Sequence, residues 1–171
     1  MIRRFALCGF MFLCLLTGCT NIQAVVQNAA KIEFLKRIDA AETQWKAKGV
    51  KSYRLSVQVV LAWRLQTDSI TVQNGAVTGH SAVCGVSVLE SGGKCELLAI
   101  DPQTLTIEEL FQKARNLVNS ASSDKYPTDA MSGLSFQFDP TYGYPVQIAS
   151  SSPHISDTDV AWIVEKFEPG K

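Results

Sequence analysis

The densest group of side chains that could do chemistry lies between Ser150 and Asp159 of this 171-residue chain. It combines hydroxyls, an imidazole and carboxylates: Ser150, Ser151, Ser152, His154, Asp157 and Asp159. A serine hydrolase places its nucleophile on a sharp turn, beside a base and near oxyanion donors. The segment has no Gly-x-Ser-x-Gly pattern, and its carboxylates lack the glycine-containing loop of a calcium site. We interpret it as a solvated loop that leads into a strand at Val160, with hydrolysis or metal binding as the weaker interpretations.

The start of the chain has the layout of an export signal. Arg3 and Arg4 precede an uncharged run from Phe5 to Leu16, which is shorter than the ~20 residues needed to span a bilayer. The run ends in Leu16-Thr17-Gly18-Cys19, which resembles the lipobox of bacterial lipoproteins. That resemblance implies removal of residues 1–18 and lipidation of the Cys19 thiol, with several acyl chains holding the protein on a membrane. A plain secretory signal is the alternative.

The residues after the signal indicate the location and the size of the remaining protein. Thr20 follows Cys19, in place of the aspartate that favours inner-membrane retention in enteric bacteria, so we expect the periplasmic face of the outer membrane. Residues 19–30 would form the lipidated N-terminus and tether, and residues 31–171 a single domain with its own core. Without Arg3 and Arg4 the 16 basic residues fall to 14, against 16 acidic residues. No basic stripe remains, which argues against a nucleic-acid partner.

The export signal determines how the five cysteines are interpreted, because it implies an oxidising compartment. Cys8 and Cys14 leave with the signal, and Cys19 is the anchor, so Cys84 and Cys95 remain as an even pair in an oxidising space. Such a pair predicts a disulfide bond, which would close a glycine-rich loop and contribute roughly 3 kcal/mol on the chain-entropy estimate. A reactive thiol pair is the first alternative. A metal site is the second, although only the isolated His80 and His154 could add ligands to the two thiols, so we expect no metal and no cofactor.

The chain then alternates between helical and extended patterns. Ile22 to Lys48 has helical spacing of its apolar residues, and Gly49 follows the last turn. The apolar residues of this predicted stripe are Ile22, Val25, Val26, Ala29, Ala30, Phe34, Leu35, Ile38, Ala41 and Trp45. Strands are predicted over Tyr53–Leu61, Ser69–Gln73, Ala76–Thr78, Ser87–Leu89 and Leu97–Ile100. The sequence Asn74-Gly75 between two of them is a strong signal for a tight hairpin.

A second helix has a clear predicted start. Thr106 can cap its free amides while Glu109 reaches back to the Thr106 amide, and Leu105 can pack on Leu110 as a hydrophobic staple. The helix would bury one apolar stripe and end between Asn119 and Ser122.

A last hairpin is predicted from Leu134–Phe138 and Tyr144–Ile148, which flank a turn at Asp139–Gly143. Tyrosines at such a turn more often pack across strands than bind ligands. We therefore favour a structural role, and keep Trp63, Tyr142 and Tyr144 as a candidate binding edge.

The order of several motifs resembles domain-of-unknown-function family 6174. These motifs are Trp45, Lys51-Ser52-Tyr53-Arg54-Leu55, Val72-x-Asn74-Gly75-x-Val77, Thr106-Ile107-Glu108-Glu109-Leu110-Phe111 and Phe138-Asp139-x-x-x-Gly143-Tyr144-Pro145-x-x-Ile148. The resemblance covers about Trp45 to Phe167 and implies a small bacterial lipoprotein or secreted protein without an assigned activity, so no catalytic residue is carried over. Where similar proteins carry cysteines after the first strand and an aspartate after Gly-Tyr-Pro, this chain has Ala62-Trp63-Arg64 and Ser150-Ser151-Ser152.

These patterns predict one α+β domain, with an N-terminal helix, an antiparallel sheet of about six strands and a second helix before the last hairpin. The leading functional hypothesis is a non-enzymatic envelope lipoprotein whose sheet face or hairpin loops bind a protein or a cell-wall component. An anchored inhibitor of an exported hydrolase is the alternative, by analogy of fold and compartment alone. A small periplasmic hydrolase that uses Ser150 to Asp159 is third. The sequence does not indicate an oligomeric state.

Overall fold

The computed structural model describes residues 19–62, 64–85, 96–121, 131–151 and 159–170. The described elements are two α-helices, one short 3-10 helix and six strands. In chain order they are α1 (Cys19–Lys48), β1 (Tyr53–Leu61), β2 (Arg64–Gln73), β3 (Ala76–Cys84), the 3-10 helix (Pro102–Leu105), α2 (Ile107–Ser120), β4 (Leu134–Phe138), β5 (Pro145–Ser150) and β6 (Val160–Pro169). The predicted α+β class, the six-stranded sheet and the position of the second helix are confirmed.

The six strands form one antiparallel sheet in the order β3-β2-β1-β6-β5-β4. The chain therefore consists of two successive units, each with a helix followed by a three-stranded meander. The units join where β1 pairs with β6, from Tyr53 opposite Pro169 to Leu61 opposite Val160. The two central strands, β1 and β6, are thus the paired strands that lie farthest apart in the sequence.

Both helices pack on the same face of the sheet. The strand residues that face them alternate with residues that point away, as the two-residue period of a strand requires. Phe111 of α2 and Ile38 of α1 are fully buried in one continuous core with Leu55, Ile70 and the other inward residues of the strands. Every buried strand residue in the described ranges lies on this face, so the opposite face of the sheet has no core of its own.

The helix α1 begins at Cys19 and so includes the segment assigned to the tether. It ends at Lys48, and Gly49 follows with φ +63°, as predicted. The single apolar stripe predicted for this helix is wrong. Ile38, Ala41 and Trp45 are buried, whereas Val25 and Val26 are 67% and 61% exposed. The two groups lie on different sides of the helix because each residue advances about 100° around its axis.

The strands β2 and β3 are longer than predicted, and they confirm the hairpin between them. Asn74 and Gly75 have φ values of 52° and 80°, the conformation that a two-residue hairpin of this type requires. The pairing continues to Cys84 opposite Gln66. Beyond the expected ends, Arg64 to Asp68 and Gly79 to Cys84 extend the ladder.

The predicted strand Leu97–Ile100 is wrong. These residues form no strand, and the predicted strand Ser87–Leu89 lies outside the described residues. The Leu98 amide donates to Gln66 Oε1 at 2.6 Å, and Gln66 Nε2 donates to the Leu98 carbonyl at 3.3 Å. The side-chain amide of Gln66 thus takes the place of a neighbouring strand, because it offers the same donor and acceptor as a peptide group.

The start of α2 agrees with the predicted cap in part. The Thr106 hydroxyl accepts from the Glu109 amide at 3.4 Å, and Leu105 and Leu110 are fully buried. The reciprocal half of the capping box is wrong, because the Thr106 amide donates to the Gln103 carbonyl of the preceding 3-10 turn. That turn supplies an acceptor closer at hand than the Glu109 side chain. The helix ends at Ser120, within the predicted range.

The predicted hairpin of β4 and β5 is confirmed. The carboxylate of Asp139 accepts from the amides of Thr141 and Tyr142 at 2.8 and 2.6 Å, and Gly143 has φ +85°. The turn packs against α1, where Gln44 Nε2 donates to the Pro140 carbonyl at 2.8 Å. The turn is therefore part of the joint between the sheet and α1.

Candidate functional site

The face of the sheet that points away from the helices, here called the open face, carries polar side chains in rows that cross the strands. Cross-strand partners share a face, and Ser81 lies opposite Ser69, Ser69 opposite Ser56, and Ser56 opposite Lys166. The hydroxyl oxygens of Ser56 and Ser69 are 2.7 Å apart. Three hydroxyls and one ammonium group thus form a row across four strands.

A longer row crosses all six strands. Four of its six members carry hydrogen-bonding groups, one hydroxyl and three side-chain amides, and the other two are aliphatic. From β3 to β4 the row is Val83, Thr67, Gln58, Ile163, Gln147 and Gln137. Neighbouring strands lie about 4.8 Å apart, so hydrogen-bonding groups recur at about that spacing or its double along the row. The row is therefore suited to an extended ligand that presents hydroxyls at regular intervals.

The charged side chains of the open face have partners within that face, either an opposite charge or a side-chain amide. Glu168 accepts from Lys166 at 2.7 Å and lies 3.9 Å from Arg54, and the hydrogen bond from Lys166 holds the pKa of Glu168 below its usual value. Gln58 Nε2 donates to Glu165 Oε1 at 3.0 Å. Two shallow grooves of about 400 and 340 Å³ adjoin at Arg54, Thr71 and Glu168. The surface is polar but close to neutral.

The chemistry available on the open face is hydrogen bonding. In the described ranges, the residues of this face include hydroxyls, amides, small aliphatic groups and the paired charges above, and none is aromatic. A general base and an activated nucleophile within hydrogen-bond reach of each other would be needed for acyl or glycosyl transfer.

A second polar group lies on the helix-facing side of β2 and was missed by the sequence reasoning. Asp68 has a fully buried side chain; His80 Nε2 lies 2.8 Å from Asp68 Oδ1, and Gln66 Nε2 donates to Asp68 Oδ2 at 2.9 Å. His80 is 30% exposed at the edge strand. The network joins β2, β3 and the backbone at Leu98, because a buried carboxylate requires hydrogen-bond partners.

The sequence did contain a signal for this network. Gln66 and Asp68 alternate in phase with the apolar Ile70 and Val72, so all four share the buried face. The two-residue period of the strand assigns these polar residues to the core, where side chains are normally apolar. Buried polar residues are therefore informative, because they indicate a hydrogen-bonded network. His80, considered above only as an isolated potential metal ligand, is the partner of the buried carboxylate.

The predicted binding tyrosines lie in an aromatic cluster. Tyr142 and Tyr144 have ring centroids 5.3 and 4.6 Å from that of Phe167, which also contacts Trp45 and Tyr53. Both tyrosines are half-buried. Their rings help to pack the turn against α1 and β6, while their role as a binding edge stays a prediction. Trp63 lies outside the described residues.

The carboxylate of Glu108 joins this cluster to α2. It accepts from Trp45 Nε1 at 3.0 Å and from the Tyr53 hydroxyl at 3.4 Å, while the same hydroxyl accepts from the Ile107 amide at 3.1 Å. The amide of Ile107 is one of the helix-start amides that lack partners within the helix. Several residues that carry the family resemblance thus meet at one structural joint between α1, β1 and α2.

This joint predicts a loss of stability at alkaline pH. Burial raises the pKa of the Tyr53 hydroxyl above its ordinary value of 10.0, and the charge of Glu108 raises it further. Because the pKa is higher in the folded state, the stabilisation is complete below pH 10.0 and decreases as the pH rises further, since the unfolded chain then binds fewer protons. Tyr53→Phe is expected to flatten this decrease and to cost about 1–3 kcal/mol at neutral pH, because the Ile107 amide loses its acceptor.

The measurement is urea unfolding of both proteins at neutral and alkaline pH, followed by tryptophan fluorescence. Tyr142→Phe is the control, because the Tyr142 hydroxyl has no hydrogen-bond partner within the described ranges. Equal slopes of stability against pH in the parent protein and in Tyr53→Phe would contradict the role of Tyr53.

Of the polar segment first considered, only Ser150, Ser151 and Asp159 lie within the described ranges, and Ser150 and Asp159 come near each other because Ser150 lies opposite Val160 in the sheet. Ser150 ends β5 opposite Leu134, the Ser151 amide donates to the Gly133 carbonyl at 3.0 Å, and the Asp159 carbonyl accepts from the Ala62 amide at 2.7 Å. Ser152, His154 and Asp157 lie outside the described residues. Within the described ranges, no group of three or more His, Cys, Asp or Glu side chains could hold a metal ion.

The predicted covalent sites are only partly covered. Cys19 is the first residue of α1 and Cys84 the last residue of β3, while residues 1–18 and Cys95 lie outside the described residues. The lipid anchor and the disulfide therefore stay predictions. Neither helix in the described ranges has both the length and the apolar character needed to cross a membrane.

One protein family matches the chain. The sequence model described as "Family of unknown function (DUF6174)" matches residues 37–169, which includes every described strand, α2 and the second part of α1. No curated protein and no solved structure matches the chain.

Proposed function

We propose a function from the premise that this chain belongs to the family of unknown function DUF6174: it is a lipid-anchored protein of the bacterial cell envelope that binds glycan strands of the cell wall without catalysis. The anchor is Cys19, the domain faces the periplasm, and the binding surface is the open face of the sheet. The carrying observation is that, among the residues the structure describes, one face of the sheet has no core and presents hydrogen-bonding groups in rows.

The chemistry of the open face favours a polyol as its ligand. A sugar chain offers hydroxyls that both donate and accept, and its residues repeat at a distance close to the spacing of the strands. The hydroxyls of Ser56, Ser69 and Ser81 and the amides of Gln58 and Gln147 can serve as both donors and acceptors. Because the charges of this face are already paired, a ligand need not carry charge.

A protein partner fits this surface less well. The buried centres of protein interfaces are enriched in aromatic side chains and methionine, and most of their binding energy comes from Trp, Tyr and Arg. The described residues of the open face include no aromatic side chain, and Arg54 at its margin lies beside Glu168. Glycan recognition through many hydrogen bonds is the better match.

The proposal is tested by sedimentation with purified, protein-free cell-wall sacculi. The mature chain with Cys19→Ser, which lacks the lipid, is expected to co-sediment with the sacculi. The triple variant Ser56→Ala, Gln58→Ala, Thr67→Ala removes three hydrogen-bonding side chains without adding charge. At about 1 kcal/mol for each hydrogen bond, its affinity is expected to fall by about 100-fold.

The matched control is Gln112→Ala, Asn116→Ala, Asn119→Ala, which removes three polar side chains from exposed positions of α2 and is expected to bind as the parent does. Circular dichroism and thermal unfolding verify that both triple variants are folded. Equal sedimentation of the two variants would contradict the proposed surface. Failure of the parent to sediment, together with capture of a protein by a photocrosslinker at Ser69, would favour a protein ligand over a glycan.

The anchor is tested separately from the ligand. Cys19→Ser is expected to move the natively expressed protein from the membrane fraction to the soluble periplasmic fraction, because the acyl chains are its attachment to the bilayer. Mass spectrometry of the parent protein should show a diacylglyceryl cysteine at the N-terminus and no residue before it. An unmodified Cys19 with the leader still attached would contradict this placement.

The disulfide between Cys84 and Cys95 belongs to the same proposal. Cys84 pairs with Gln66 in the sheet, and the Gln66 side chain bonds to both polar groups of Leu98. Cys84 and Leu98, which follows Cys95 by three residues, are therefore both held near Gln66, which supports a bridge between the two cysteines. Peptide mapping without reduction should yield the linked Cys84 and Cys95 peptides, and reduction should lower stability by roughly 3 kcal/mol.

A further inference from the structure

The first half of α1 carries an apolar surface that faces away from the domain. Val25, Val26 and Ile32 are 67%, 61% and 66% exposed. At about 100° per residue, they and Ala29 fall within about 120° of the helix circumference. We call these four residues the outer stripe. Exposed aliphatic side chains are ordinary when they are scattered, but these lie side by side on one helix face.

The outer stripe and the core stripe of the same helix face nearly opposite directions. Phe34, Ile38, Ala41 and Trp45 pack toward the sheet, and with about 100° per residue the centre of their arc lies about 150° from that of the outer stripe. The domain cannot cover the outer stripe without turning the helix over. Whatever covers it approaches from the side opposite the sheet.

The position and charge of the segment favour a lipid surface. Its helix begins at Cys19, so acyl chains on that residue would place its first turn at the bilayer. No charged residue occurs from Thr20 to Ala30, and the first ones that follow are Lys31 and Glu33. The cost of bringing charged side chains to the edge of the hydrocarbon region is thus avoided over the first three turns.

We propose that the outer stripe lies on the membrane surface beside the lipidated Cys19, so that the first half of α1 runs along the bilayer and the sheet domain is held on its far side. This inference rests on the proposed lipid anchor. Four aliphatic side chains add too little buried area to anchor a protein by themselves. Their role is to fix the direction of the domain, with the core-facing side of α1 turned away from the lipid.

The test is hydrogen exchange of the acylated protein on vesicles of phosphatidylethanolamine and phosphatidylglycerol. Amides of residues 25–33 are expected to exchange at least tenfold more slowly on vesicles than in the Cys19→Ser protein in solution, because a helix segment without packing partners opens readily. Val25→Gln, Val26→Gln, Ile32→Gln is expected to abolish this protection while the protein still floats with the vesicles.

The matched control is Val83→Gln, Leu97→Gln, which removes aliphatic side chains of similar exposure, 63% and 53%, from the domain and should leave the protection intact. Unchanged protection in the triple variant would overturn the proposal. Protection that appears without lipid and increases with protein concentration would also overturn it, in favour of a second copy of the chain.

A separate arm distinguishes failure of the outer stripe from failure of the anchor. The Cys19→Ser protein with an N-terminal hexahistidine tag is held on vesicles that contain a nickel-chelating lipid. Protection of residues 25–33 in this arm supports the outer stripe even if Cys19 proves to be unacylated. Exchange as fast as in solution overturns the inference, whatever the state of Cys19.

Discussion

Gly143→Ala is expected to lower the free energy of unfolding by about 3 kcal/mol or more. A β-carbon at this position would lie 2.4 Å from the Ala41 carbonyl oxygen and 3.0 Å from the Trp45 amide nitrogen. Both atoms belong to the backbone of α1 and cannot move aside as a flexible side chain would. Two terms make up the expected loss of stability. Strain of an alanine in the left-handed backbone conformation contributes about 1–2 kcal/mol, and overpacking against α1 contributes about 1–3 kcal/mol.

The control for this prediction is Gly75→Ala. Gly75 has nearly the same φ, +80° against +85°, but a β-carbon there meets nothing within 4 Å. Its substitution is expected to cost only the backbone strain of about 1–2 kcal/mol. The difference between the two variants in urea unfolding therefore isolates the contact between the turn and α1. Equal losses would show that the turn does not need to approach the helix so closely.

His80→Ala is expected to cost about 3–5 kcal/mol, since it leaves the buried carboxylate of Asp68 without its main partner. Asp68 is fully buried, and its remaining hydrogen bond within the described ranges comes from Gln66 Nε2 at 2.9 Å. One amide is a poor substitute for the water that the carboxylate gave up on folding. The measurement is again urea unfolding at neutral pH, with the slope of the transition used to verify that the two-state treatment holds.

The double variant Asp68→Asn, His80→Ala tests the cause of that loss. If the unpaired charge is responsible, replacing the carboxylate with an amide should restore about 1–2 kcal/mol, so that the double variant is more stable than His80→Ala alone. A double variant that is less stable than His80→Ala would assign the loss to the packing of the imidazole ring. Gln73→Ala, at the exposed end of β2, is the neutral reference.

The elements that could be predicted from sequence are those set by local chemistry. Asn74-Gly75 requires positive φ angles whatever its surroundings, and Asp139 to Gly143 contains its own hydrogen-bond acceptor and its own glycine. The Thr106 cap needs only an amide three residues ahead. Each of these signals operates within a few residues, and each is confirmed in the structure.

The remaining features depend on contacts that no single segment contains. The rows of the open face exist only because β1 pairs with β6, so Ser56 meets Lys166 and Gln58 meets Ile163. The outer stripe was merged with the core stripe because composition alone does not fix where a long helix leaves its domain. Leu97 to Ile100 has a strand-like sequence, but its partner is a side chain of β2, which a pattern of apolar residues does not reveal.

The pairing of β1 with β6 also governs when the fold can be completed. Synthesis delivers the helix α1 and the first meander long before β6, and the two central neighbours are separated by about a hundred residues at their closest pair, Leu61 and Val160. Contacts so distant in sequence are slow to form. One long side of β1 therefore stays unpaired until β6 is available, and completion of the sheet depends on that late contact.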